Sequence, residues 1–136
     1  MWATSAHILG GVLQHVTLEV EPGEIERSVA FWELLGFARV KPPAALAETF
    51  TWMERKGTQI HLERNESPVV PPHGHVAVVV EDFERTVERL REGGFELQPG
   101  REHWGAPRAK ALAPGGHLVE LMAAPPRPAN PAKPVA

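Results

Sequence analysis

The sequence predicts an α+β fold built from two βαβββ modules, mainly because it contains an internal repeat. A strand-like stretch around His15 recurs around His75, 60 residues later. The helical segments that follow these stretches match at an offset of 58 residues, and the strand-like stretches around His61 and Glu120 match at an offset of 59. Strand, helix and closing strand therefore recur in the same order, as expected of two copies of one unit.

The first module begins with a strand over residues 13–20, where apolar and polar side chains alternate. Residues 24–35 carry apolar side chains at helical spacing and acidic ones in the first turn, and Gly36 ends the predicted helix. A short strand follows at 37–40. Residues 48–55 and 58–64 are then predicted to pair as a hairpin around Lys56-Gly57.

The second module repeats this order. Its elements are a strand at 74–80, a helix from Asp82 as N-cap to about residue 92, a stop at Gly93-Gly94, and strands near 95–98, 107–113 and 117–122. The predicted organisation is thus an N-terminal extension (1–12), the first module (13–64), a linker (65–73), the second module (74–123) and a Pro/Ala-rich tail (124–136). The tail is expected to be extended or disordered, since it has almost nothing to bury.

Composition excludes several classes of function. A chain of 136 residues with 43% hydrophobic content suits one domain whose halves share a core. A net charge of −3, with basic and acidic residues interspersed, argues against a nucleic-acid partner. Because no signal peptide or apolar span of about 20 residues is present, we expect a cytoplasmic protein without a membrane partner. The absence of cysteine leaves histidine and carboxylate as metal ligands.

Four polar residues are the candidates for a metal site. Each lies in a predicted strand next to bulky apolar residues, so a sheet that curls with its helices outside would turn all four into the concave side. They are His15, His61, His75 and Glu120. Three imidazoles and one carboxylate suit one divalent ion such as Zn, Ni, Co, Fe or Mn. A single strand histidine is ordinarily only hydrogen-bonded, and Glu120 alone could lie on an outer face, but their equivalent positions in the repeat favour the metal site.

The same segments resemble the vicinal oxygen chelate superfamily, which includes glyoxalase I, extradiol dioxygenases, fosfomycin-modifying enzymes and bleomycin-resistance proteins. The resemblance covers nearly all of residues 13–122, with its most specific motifs at residues 13–18, 26–37, 74–78, 104–108 and 114–121. It implies paired βαβββ modules that form a cup around one metal ion, with His15, His61, His75 and Glu120 at the ligand positions. In glyoxalase I the position of His61 is typically glutamate, so the sequence departs from that pattern.

The resemblance implies an enzyme of the glyoxalase type, a lyase or isomerase acting on a small molecule with two adjacent oxygens. In such an enzyme the metal stabilises an enolate or oxyanion, and Glu120 acts as the proton shuttle. Trp104 and Arg108 lie where family members line the cup, and Arg108 could clamp an anionic group. Phe50 and Trp52 share one strand face and could form the floor of an apolar pocket, although ordinary core packing is the simpler explanation.

Two other functions stay open at this point. One is a non-catalytic protein that sequesters a drug or metabolite, as bleomycin-resistance proteins do, although those generally lack the ligand set. The other is an Fe(II) extradiol-type dioxygenase, which matches His15, His75 and Glu120 but generally needs a tyrosine that this chain lacks. Module pairing also suggests a homodimer, in which the cup closes within one chain or between two. His7, His73, His103 and His117 are expected at the surface or in turns.

Overall fold

The computed structural model describes residues 9–129, and these form two mixed four-stranded sheets. The first sheet has the order β1-β4-β3-β2, and the second has the order β5-β8-β7-β6. The first contains β1 (His15–Val20), α1 (Ile25–Leu34), β2 (Ala38–Val40), β3 (Phe50–Arg55) and β4 (Thr58–Arg64). The second contains β5 (Val76–Val79), α2 (Phe83–Glu92), β6 (Leu97–Pro99), β7 (Arg108–Leu112) and β8 (Leu118–Met122). The predicted α+β fold of paired βαβββ modules is confirmed.

Local sequence signals explain the turns and helix ends. Lys56 and Gly57 have φ of 49° and 83°, the left-handed pair that a two-residue hairpin needs, and they join β3 to β4. The Asp82 side chain accepts a hydrogen bond from the Arg85 backbone N–H at 3.2 Å, which confirms Asp82 as the N-cap of α2. Short 3₁₀ turns at Pro22–Glu24 and Ala44–Leu46 precede α1 and β3.

Most elements are shorter than the sequence pattern predicts, and this changes the predicted position of His75 within a strand. β5 begins at Val76, so His75 lies immediately before this strand and not inside it. The partner strand β8 begins at Leu118, after Gly115 and Gly116 at positive φ, and its pairing with β5 starts at Val76 opposite Val119. The limits predicted for the modules, linker and tail stay predictions. His7 and residues 130–136 lie outside the described residues.

The two sheets share one hydrophobic core. Side chains on one face of each sheet pack with the two helices into a single cluster, which includes Val20, Phe31, Leu90 and Leu121. Phe31 and Phe95 meet edge to face with ring centroids 5.3 Å apart, and they join the two modules. The opposite face of each sheet, here called its open face, carries His61 and Trp52 in the first sheet and Glu120 and Lys110 in the second. Within residues 9–129, neither helix has the length and apolar character that a membrane span requires.

One further contact between the modules corrects a prediction. His117, expected at the surface or in a turn, is only 5% exposed. Its Nε2 lies 2.7 Å from the backbone carbonyl oxygen of Glu19 in β1. The glycine turn before β8 brings this ring against the first module, and Gly115 lies beside Val20.

Candidate functional site

Four predicted site residues lie together on the open face of the first sheet. The Trp52 ring is parallel to that of His61, with an interplanar angle of 7° and centroids 4.3 Å apart. The His15 ring stacks on the other side of His61, with centroids 4.0 Å apart and an angle of 15°. Phe50 meets the His61 ring at its edge. Strand pairing explains the contact, since Trp52 is directly opposite His61 across β3 and β4.

These four rings line a cavity of about 450 Å³, together with Leu46 and the amides of Gln14 and Gln59. Phe50 and Trp52 are half-buried there, whereas the fully buried side chains of β3 are Thr51 and Met53 on its other face. Phe50 and Trp52 thus line a cavity next to the two histidines, and its use as a substrate pocket stays a prediction. A flat, partly apolar group would suit these walls.

Hydrogen bonds fix both histidines of this group. Nδ1 of His15 lies 2.8 Å from Oε1 of Gln14, and Nε2 of His61 lies 2.7 Å from Oε1 of Gln59. Burial lowers the pKa of His61, and the neighbouring His15 lowers it further. The His61 ring is therefore neutral at neutral pH, whereas the His15 ring is exposed to solvent.

The other four predicted site residues form a second group, on the second sheet. The buried Glu120 carboxylate uses both oxygens, since Oε1 lies 3.2 Å from His75 Nε2 and Oε2 lies 2.8 Å from Arg108 Nε. Arg108 also donates from Nη1 to the carbonyl oxygen of Arg101 at 2.8 Å. Its guanidinium carbon is 5.5 Å from the centre of the Trp104 ring, and Trp104 donates to the Ala124 carbonyl oxygen.

The hydrogen bond from Arg108 lowers the pKa of Glu120 below its ordinary value of 4.5. Burial acts in the opposite direction, and the bond to His75 adds a smaller lowering effect. The carboxylate is therefore ionised at neutral pH. An ionised carboxylate is a good metal ligand, but one with a lowered pKa is a weak base.

One chain does not bring the four predicted ligands to a single point. His15 pairs with His61, and His75 pairs with Glu120. Over residues 9–129, no three His, Cys, Asp or Glu side chains gather closely enough to hold one metal ion. Because one face of each sheet packs into the shared core, the open faces that carry the two pairs are directed away from that core.

Sequence reasoning missed Gln14 and Gln59, which contact the first histidine pair. Gln59 lies two residues before His61, and strand periodicity would have placed both on the same face. Its own amide nitrogen donates to Oε1 of Glu54 at 2.7 Å, so its carbonyl oxygen is directed towards His61. Gln14 gives no such signal, because it precedes β1 and its contact depends on the side-chain rotamer.

Residues 12–121 match the sequence profile of the Glyoxalase/Bleomycin resistance protein/Dioxygenase superfamily. The chain belongs to this superfamily. No curated protein matches the sequence significantly. The assignment confirms the resemblance inferred from the repeated motifs. Because the superfamily includes resistance proteins as well as enzymes, membership does not identify an activity.

Solved structures of the superfamily share the fold. A glyoxalase family protein from Bacillus anthracis is 19% identical, with a TM-score of 0.75 over 85% of this chain and 97% of its own. A variant of the fosfomycin resistance protein FosX from Listeria monocytogenes, in complex with Mn(II) and dihydroxypropylphosphonic acid, is also 19% identical. Its TM-score is 0.68, over 87% of this chain and 95% of its own. The oxidase ChaP-H2 has a TM-score of 0.69 at 19% identity, over 86% and 96% of the two chains. At these identities, the likeness concerns the fold alone.

Proposed function

We propose that the chain is a divalent-metal-dependent enzyme that acts on a small molecule with two neighbouring oxygens. In this proposal His75 and Glu120 of one copy hold the ion together with His15 of a second copy. The observation that carries the proposal is the close approach of His75 Nε2 to Glu120 Oε1 at a buried carboxylate. A homodimer and a cytoplasmic location are part of the same proposal.

The hydrogen bonds of His75 are consistent with a metal ion between its Nε2 and Glu120. Its Nδ1 lies 2.8 Å from the His73 carbonyl oxygen, which can only accept, so Nδ1 carries a proton. In the neutral ring Nε2 then presents a lone pair towards the ionised Glu120 carboxylate. Two facing lone pairs repel unless a proton or a metal ion lies between them. Metal-binding histidines commonly donate their other ring N–H to a carbonyl or carboxylate in this way.

The spacing of the donors also fits an ion. Two ligands at about 2.0–2.1 Å from one metal are roughly 2.8–3.0 Å apart in octahedral geometry and about 3.3–3.4 Å apart in tetrahedral geometry. The separation between His75 Nε2 and Glu120 Oε1 is 3.2 Å. Both donors are therefore compatible with one ion without rearrangement, and imidazole with carboxylate suits Mn, Fe(II), Co, Ni or Zn.

A second copy would supply the remaining ligand. The open faces of both sheets carry apolar side chains in contact with solvent, with Val79 50% exposed and Leu112 42% exposed on the second sheet. Beside the first sheet, Leu46 in the 3₁₀ turn before β3 is exposed at the cavity that His15 also lines. If the first sheet of one copy covers the second sheet of another, these side chains are buried and His15 approaches His75 and Glu120. A two-fold dimer forms two such sites.

The remaining residues would position the substrate and the ligands. A bound divalent ion would polarise two adjacent substrate oxygens as a Lewis acid. Phe50 and Trp52 would bind a flat or apolar part of the substrate, and Arg108 keeps the Glu120 carboxylate ionised and oriented. The glyoxalase version assigns Glu120 a second role as proton shuttle. The bond from Arg108 opposes that role, because it lowers the basicity of the carboxylate.

The proposed ligand set also fits a second candidate, an Fe(II) dioxygenase. Without His61 the ligand set is two histidines and one carboxylate, the pattern of non-haem Fe(II) oxygenases. The lyase or isomerase of the glyoxalase type uses the same superfamily fold with other metals. Oxygen consumption by the Fe(II)-loaded protein with a catechol distinguishes the two candidates, since only the dioxygenase consumes O₂ as this substrate is turned over.

The test of the proposal is metal content after chelation and reconstitution with Mn²⁺ or Co²⁺. Wild type is expected to bind about one ion per chain, and Glu120→Gln and His75→Ala should each weaken binding at least about tenfold. His103→Ala is the matched control and should leave binding unchanged, because this exposed imidazole lies beside the Trp104 ring, with centroids 6.4 Å apart, and does not contact His75 or Glu120. A wild-type protein that takes up no stoichiometric metal, yet binds small aromatic molecules, would support the sequestering function instead.

A further inference from the structure

We infer that His61 is a positioning residue, which holds the ligand His15 through ring stacking, and that it does not itself bind the metal ion. This inference rests on the proposed function, because it assumes that His15 is a metal ligand. It differs from the four-ligand set that the resemblance to glyoxalase I implies, in which the residue at the position of His61 is a ligand.

The three rings of Trp52, His61 and His15 form a continuous stack. His61 is the middle ring, at 4.3 Å from Trp52 and 4.0 Å from His15, with both neighbours within 15° of parallel. It is 7% exposed, whereas His15 is solvent-exposed at the start of β1. The buried ring therefore serves as a fixed surface for the exposed one.

Ring geometry argues against His15 and His61 sharing an ion. The lone pair of an imidazole nitrogen lies in the ring plane, so a bound ion must lie close to that plane. Two stacked rings that are nearly parallel have planes separated by most of their 4.0 Å centroid distance. An ion about 2.1 Å from a nitrogen of each ring would lie far outside both planes. In this stack, only one of the two histidines can be a ligand.

Hydrogen bonding indicates which histidine is the ligand. The carbonyl oxygen of Gln59 accepts from Nε2 of His61, because the amide nitrogen of Gln59 already donates to Glu54. His61 is thus fixed by Trp52, Gln59 and His15 and is nearly closed to solvent. His15 hydrogen-bonds through Nδ1 to Gln14, which leaves its Nε2 free on the open face. The exposed ring is the one that an ion and a second copy can reach.

Stacking has a measurable consequence for metal affinity. An exposed histidine at the start of a strand would otherwise sample several rotamers, and binding would have to select one of them. Groups that orient a metal ligand typically change the affinity by about 10–100-fold when they are removed. Removal of the flat ring at residue 61 is expected to have an effect of this size, whereas its replacement by another flat ring is not.

The experiment compares His61→Phe, His61→Ala and His15→Ala in the full-length chain, with Co²⁺ alone as the probe. Affinity is measured by competition with a coloured chelator, and coordination is read from the visible absorption bands of bound Co²⁺. His61→Phe should stay within about threefold of wild type with unchanged bands, and His61→Ala should lose roughly 10–100-fold. His15→Ala should lose more, with altered bands. Trp52→Leu removes the opposite end of the stack at a half-buried position and should also weaken binding.

Three results would overturn the inference, and the first two leave the proposed function intact. If His61→Phe loses as much affinity as His15→Ala and alters the Co²⁺ bands, His61 is a ligand. If His61→Ala and Trp52→Leu both bind like wild type, stacking does not position His15. If wild type binds no Co²⁺, the proposed function fails and this inference fails with it, and that outcome is distinct from the other two.

Discussion

His117 provides a sensitive test of how the two modules are held together. The ring is 5% exposed, and it donates to the Glu19 carbonyl oxygen at 2.7 Å across the boundary between the modules. His117→Ala removes this hydrogen bond and leaves a partly buried acceptor without it, which typically costs about 1–3 kcal/mol. For a chain of 136 residues, each kcal/mol corresponds to roughly 3–5 °C in the unfolding midpoint, so a decrease of about 3–15 °C is expected.

The assay is urea and thermal unfolding followed by circular dichroism, with His103→Ala as the control. That substitution removes an exposed imidazole and should change the free energy of unfolding by less than about 0.5 kcal/mol. If His117→Ala unfolds at the same urea concentration as His103→Ala, the contact between His117 and β1 contributes nothing. The two modules would then be held together without a contribution from His117.

Two further predictions concern the core and the Glu120 carboxylate. Phe95→Ala should lower the free energy of unfolding by about 3–5 kcal/mol, because the ring packs on Phe31 at the module boundary. Phe95→Leu should cost only about 1–2 kcal/mol, and equal effects of the two in urea unfolding would contradict this packing. The folded-state pKa of Glu120 is lowered, chiefly by Arg108, so its stabilisation is present above pH 4.5 and is lost as the pH falls through the folded pKa. As the pH falls below 4.5, the free energy of unfolding of metal-free wild type should therefore decrease relative to that of Glu120→Gln. A difference between the two proteins that does not change with pH would contradict this prediction.

The repeat and the periodicity predicted the modules because they report on local chain geometry. Alternation identified β1, and the glycine after the first helical pattern identified the end of α1, because both depend on residues close in sequence. The same alternation predicted that the side chains of His15 and Glu120 lie on the sheet faces opposite the core. The stack of Trp52 on His61 depends instead on the register between β3 and β4, which places these two residues directly opposite each other.

The arrangement of the two modules could not be predicted from the sequence. The face along which they meet depends on long-range contacts, such as Phe31 with Phe95 and His117 with Glu19. A histidine after a glycine turn looks like a surface residue, since its burial depends on a strand about 100 positions away. The repeat therefore suggested four converging ligands, whereas one chain forms two separate pairs.

The most direct test of the account is to combine two variants that damage different halves of the proposed site. His15→Ala and Glu120→Gln are refolded together from denaturant, so that mixed dimers form, and Co²⁺ uptake is measured. Random pairing makes half of the dimers mixed, and each mixed dimer contains one intact site, so uptake should rise from near zero to about a quarter of the wild-type value. If the mixture binds no more Co²⁺ than the separate variants while wild type remains competent after the same treatment, the metal site is not shared between copies.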